Sequence, residues 1–109
     1  MRSKPVFSLG RWQQVAYIEY TDRRKCNGCR HAVVVDRMRE GNILRITLFS
    51  RPENGEYYGV DGVVFLLYPS LTVIASCDYD RPNAVILLEE YIKPVWDRIL
   101  KQIEKHSSE

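Results

Sequence analysis

Residues 63–103 read VVFLLYPSLTVIASCDYDRPNAVILLEEYIKPVWDRILKQI, and the hydrophobic period changes inside that stretch. Up to Cys77 it holds two short runs, Val63 to Tyr68 and Leu71 to Cys77, rich in β-branched and aromatic residues. Such runs have strand length and strand composition. Pro69-Ser70 between them suits the two central positions of a type I turn. Beyond Cys77, Leu88, Ile92, Val95, Ile99 and Ile103 recur every three or four residues, which is one apolar face of a helix. Ala84, Tyr91, Trp96 and Leu100 widen that face. Asp80 is a candidate N-cap and Pro82 fits a first helical turn. Glu89–Lys93 and Asp97–Lys101 are i,i+4 pairs in the favourable order. Pro94 lacks an N–H and clashes with the preceding turn, at about 3 kcal/mol in a helix interior. The spacing therefore predicts a helix with a kink or break near Lys93. The alternative makes Ala84 to Tyr91 a further strand and starts the helix at Pro94.

Toward the N-terminus the same strand signal recurs in Trp12 to Tyr20, His31 to Met38, Ile43 to Phe49 and Glu56 to Val60. Turn signals separate the runs. Asn27-Gly28 suits a two-residue hairpin turn in which both residues take positive φ. Gly41-Asn42, Asn54-Gly55 and Asp61-Gly62 read as further turns. No connection is long enough for a crossover helix, so the strands pair antiparallel. The reading is α+β: an antiparallel meander of five to six strands over about residues 12–77. One long C-terminal helix, about residues 81–105, packs on one face of it. Val63–Tyr68 and Leu71–Ala75 are apolar on both faces and read as central strands, whereas Tyr17 to Asp22 reads as lying nearer an edge.

The chain has 109 residues, enough for one domain and one core. Hydrophobic residues make up 45% and charged residues 28%, which excludes a disordered tail. The longest apolar run, Val63 to Tyr68, is far too short for a membrane span. A net charge of +2 excludes a histone-like cationic blanket, but it hides an asymmetry. Residues 1–40 carry nine Lys or Arg against four Asp or Glu, and residues 41–80 carry two against five. The N-terminus is basic without an apolar stretch behind it, so no secretory signal is read and a cytoplasmic location is expected. Three cysteines make a poor disulfide framework.

Three constellations bear on chemistry. Cys26 and Cys29 flank Asn27-Gly28, and His31 lies two residues on. With Cys77 they make a candidate Cys₃His zinc site, since zinc takes four ligands and favours thiolates. A single CxxC leaves two rivals open: a local Cys26–Cys29 disulfide or redox pair, and free thiols with Cys77 buried as a small hydrophobe. Second, Arg23, Arg24, Lys25, Arg30 and His31 crowd the same hairpin, with Arg37 and Arg39 further along. Cations so placed repel one another unless an anion neutralises them, and phosphate contacts release counterions. Trp12, Tyr17, Tyr20, Tyr57 and Tyr58 are candidate stacking platforms on a sheet face. Third, Asp78 and Asp80 could hold a divalent cation for phosphoryl chemistry. Each also has a plain structural use, as a turn residue and as a helix cap. No glycine-rich phosphate loop and no nucleophile elbow is present.

These features favour a small binding protein over an enzyme. The expected function is engagement of nucleic acid, single-stranded by architectural analogy, through Arg23, Arg24, Lys25, Arg30, Arg37 and Tyr20. Zinc stabilisation and a homodimer formed through a sheet edge or a helix face are further expectations. The alternatives are an adaptor or inhibitor docking on an acidic protein, and a metal-dependent nuclease using Asp78 and Asp80.

Overall fold

Five strands form one antiparallel sheet, in the order of the chain. They are β1 (Trp12–Thr21), β2 (Arg30–Met38), β3 (Ile43–Arg51), β4 (Gly59–Leu67) and β5 (Thr72–Asp78). A helical segment follows, from α1 (Ala84–Ile86) to α2 (Trp96–Ser107). The computed structural model describes residues 12–21, 29–38, 40–52, 54–78 and 84–107. Among them, no helix is long and apolar enough to cross a membrane.

Strand alternation sorts the side chains onto two faces. In the register, Ile18 lies opposite Val33, Val33 opposite Leu48, and Ile46 opposite Val64. These residues, with Val35, Leu44 and Leu66, are almost wholly buried. They meet Leu87, Leu88, Ile92, Val95, Ile99 and Ile103 of the helical segment, and together these form the core. The predicted apolar stripe is therefore the face that seals the sheet.

The helical segment loses regular α-helical bonding where Pro94 requires it. Leu87–Ile92 is wound as a π-helical turn and Lys93–Val95 as a 3₁₀ turn. Lys93 N–H reaches back five residues to Leu88 O, and Trp96 N–H only three, to Lys93 O. Pro94 has no N–H to give, so the chain closes around it with a wide turn and then a narrow one. Residues 84–91 are helical, not a sixth strand.

Three local expectations are corrected. Asp61-Gly62 is no turn: β4 runs straight through it, with a register irregularity opposite Leu48 and Phe49. Glu56–Val60 and Val63–Tyr68 are thus not two strands, because β4 spans Gly59–Leu67 without a break. Leu71–Ala75 is not central: among the described residues its strand is the last of the sheet, and Ile74 there is 49% exposed. The β4–β5 turn contains a cis Tyr68–Pro69 peptide. Gly41, by contrast, sits at φ +107°, as the β2–β3 turn demands.

Among the described residues no strand lies beside the outer edge of β1, and a side chain takes that place. Tyr17 N–H donates to Gln102 Oε1 at 2.8 Å, and Gln102 Nε2 donates to Tyr17 O at 3.2 Å. The amide of α2 thus takes the place of a neighbouring strand for one residue.

Candidate functional site

The helix-facing and open faces carry different chemistry. On the helix side, His31 is buried, with its ring against Tyr20 and Tyr91 at centroid distances of 5.3 and 5.0 Å. Tyr20 donates its hydroxyl to Tyr91 O at 2.9 Å. Ser50 donates its hydroxyl to Asp61, which leaves its oxygen to accept from His31 Nδ1, 2.8 Å away. The serine is the middle member, and its proton is committed to a carboxylate. A hydrolytic triad needs the histidine in the middle, taking the serine proton. The His31–Ser50–Asp61 chain therefore locks β2, β3 and β4 together and offers no activated nucleophile.

The open face follows from the same alternation. Because Ala16, Ile18 and Tyr20 point to the helix, Tyr17 and Glu19 point away, and Tyr17 is 44% exposed. Arg30 and Arg51 lie directly opposite each other on β2 and β3. Among the described residues, no element covers this face.

At the end of the open face nearest Arg30, the polar groups form a cluster. Glu19 Oε2 accepts from Tyr17 at 2.9 Å and from Tyr58 at 3.0 Å. Arg30 Nη2 lies 3.4 Å from Glu19 Oε1. The Arg51 guanidinium sits 5.5 Å from the Tyr58 ring centre. Its Nε is buried and makes no hydrogen bond among the described residues. The phenol of Tyr17, then that of Tyr58, holds the Glu19 carboxyl below its ordinary value. Reciprocally, donation to Glu19 raises the Tyr17 phenol.

A third arginine on this face is already matched. Arg45 bonds Asp36 at 3.1 Å and lies 4.5 Å over the Trp12 ring, which itself meets Phe65 at 6.1 Å. The Arg30–Arg51 pair differs: the two arginines stand opposite each other in the register, Arg30 reaches Glu19 only at 3.4 Å, and Arg51 lies by the Tyr58 ring.

The sequence-derived site residues scatter. Arg30 belongs to the open-face cluster. Tyr20 does not, because its ring packs on the core and its hydroxyl is bound to Tyr91 O. Arg37 lies at the opposite end of β2, bonded to Asn42 at 3.0 Å and stacked 4.7 Å over Tyr68. Arg23, Arg24 and Lys25 lie outside the described residues, as do Cys26, Arg39 and Asp80. Asp78 ends β5, opposite Gly62.

Of the proposed zinc ligands, Cys26 lies outside the described residues, and the strand order sets Cys77 apart from Cys29 and His31. Cys77 lies on β5, opposite Val63 of β4, and β5 is three strands from β2, or about 14 Å across the sheet. Cys29 is disulfide-bonded, so its sulfur is not the thiolate that zinc takes. His31 already bonds Ser50 through Nδ1. Among the described residues, no three His, Cys, Asp or Glu side chains are grouped to hold a metal.

Sequence reasoning missed Glu19, Arg51 and Gln102. For Glu19 a signal existed: once Ile18 is taken as core, its neighbours must point outward. For Gln102 there was none, because the contact spans 85 residues. No family pattern, curated protein or solved structure matches this chain.

Proposed function

We propose that the chain is a small cytoplasmic binding protein whose open sheet face engages single-stranded nucleic acid. The carrying observation is the Arg30–Arg51 pair, two arginines directly opposite in the register of adjacent strands, one reaching Glu19 and the other the Tyr58 ring. Like charges directly opposite on a sheet repel. A phosphate between them removes the repulsion and supplies charge-assisted acceptors. The phenol rings give flat surfaces on which unpaired bases stack, worth about 1–3 kcal/mol per base. A duplex hides its base faces, so this combination favours a single strand. With a net charge of only +2, affinity rests on a few phosphate contacts and weakens as salt rises.

An acidic protein partner would use the same arginines without needing the rings. Fluorescence anisotropy with a single-stranded oligonucleotide at low salt separates the two. Charge reversal at Arg30 and Arg51 should abolish binding, and Tyr58→Ala should weaken it about fivefold or more. Oligonucleotide binding that survives reversal of both arginines would remove the proposal.

A further inference from the structure

Glu19 is out of place in a site that attracts phosphate, and its partners suggest why it is there. Oε2 is filled by two phenol hydroxyls, at 2.9 and 3.0 Å. Oε1 meets only the long Arg30 contact of 3.4 Å among the described residues. A carboxylate has about four lone-pair directions, so Oε1 keeps accepting capacity. It gains more when Arg30 turns toward a phosphate. Both ring hydroxyls aim at this carboxylate. A base lying on either ring therefore brings one of its edges toward Oε1.

We propose that Glu19 is a base-reading residue, and that the site prefers guanine in the stacked position. This rests on the nucleic-acid reading above and names its specificity. On its Watson–Crick edge guanine presents two adjacent donors, N1–H and N2–H. Adenine and cytosine present one amino donor beside a ring-nitrogen acceptor. Thymine and uracil present one N–H between two carbonyls, whose lone pairs face the anion. A fixed anionic acceptor ranks guanine first and thymine or uracil last. The two phenols fix the carboxylate, so little side-chain freedom remains to be lost on binding.

The test uses four single-stranded pentanucleotides, thymidine throughout except for one variable central base. Binding is read by fluorescence anisotropy at low salt, with circular dichroism confirming that each variant is folded. The guanine-centred strand should bind about fivefold or more tighter than all-thymidine. Glu19→Gln, whose amide both donates and accepts, should collapse that ratio toward one. Two results overturn base reading while leaving the nucleic-acid proposal standing. One is equal binding of all four strands by a protein that still needs Arg30 and Arg51. The other is an unchanged ratio in folded Glu19→Gln. Binding of none of the strands overturns both proposals together.

Discussion

Replacing Gln102 with alanine should both destabilise the domain and open a sheet edge. The side chain makes two hydrogen bonds to the Tyr17 main chain, at 2.8 and 3.2 Å. A typical hydrogen bond contributes about 0.5–1.5 kcal/mol net. Tyr17 is exposed, so water replaces part of what is lost, which places each bond at the low end. Alanine is the better helix former by a few tenths of a kcal/mol, and this offsets a little more. The expected net loss is about 0.5–1 kcal/mol, or roughly 2–8 °C in Tm for a domain of this size. Urea unfolding with an unchanged m-value measures it. Gln102→Glu sharpens the test. At neutral pH it keeps an acceptor for Tyr17 N–H but sets an oxygen against Tyr17 O. It should therefore be less stable than wild type at pH 7 and recover as its carboxyl protonates. The unsealed edge of Gln102→Ala should also raise self-association at high concentration, visible by sedimentation. A variant with wild-type midpoint and wild-type sedimentation would refute the idea that this amide acts as a substitute strand.

Other consequences are simpler to check. Ile99→Ala removes a side chain with no solvent exposure from the sheet–helix seam and should cost about 2–5 kcal/mol in urea unfolding. The Tyr17 phenol should titrate above its ordinary value of 10.0 in wild type and return toward it in Glu19→Gln, followed by ultraviolet absorbance. Its folded-state value is raised, so the stability linked to it is present below pH 10.0 and is lost as the pH rises through the higher value. The Glu19 carboxyl behaves oppositely. Its linked stability is present above its ordinary 4.5 and is lost as the pH falls through the depressed value, and Glu19→Gln should flatten that acid limb.

What could be read from the chain was its periodicity. The stripe from Leu88 to Ile103 is the buried seam because a 3.6-residue period has one physical explanation in a chain this short. Pro94 announces its own irregularity, since no partner restores a missing N–H. Asp61-Gly62 misled because its composition matches a turn, whereas Asp61 is held across the sheet by the Ser50 hydroxyl and Gly62 is buried opposite Leu48. Those are contacts with β3, invisible to a local window. Leu71–Ala75 looked central because it is apolar on both faces, but its place as last strand among the described residues puts it at the edge. The site was half legible. Of the residues singled out, Arg30, Tyr17 and Tyr58 lie in the open-face cluster, but a hairpin-tip grouping hid the alternation that sends Tyr20 inward and Tyr17 outward. Arg51 was overlooked because its pairing with Arg30 follows from strand register, which composition does not encode.

The most direct test of the central claim is a titration of isotopically labelled protein with a short single strand, followed by backbone and arginine side-chain NMR at low salt. The account predicts perturbations centred on Tyr17, Glu19, Arg30, Arg51 and Tyr58, fading as salt is added, with Ile92, Ile99 and Ile103 unmoved. Shifts confined to the helical segment, or none at saturating oligonucleotide, would contradict it.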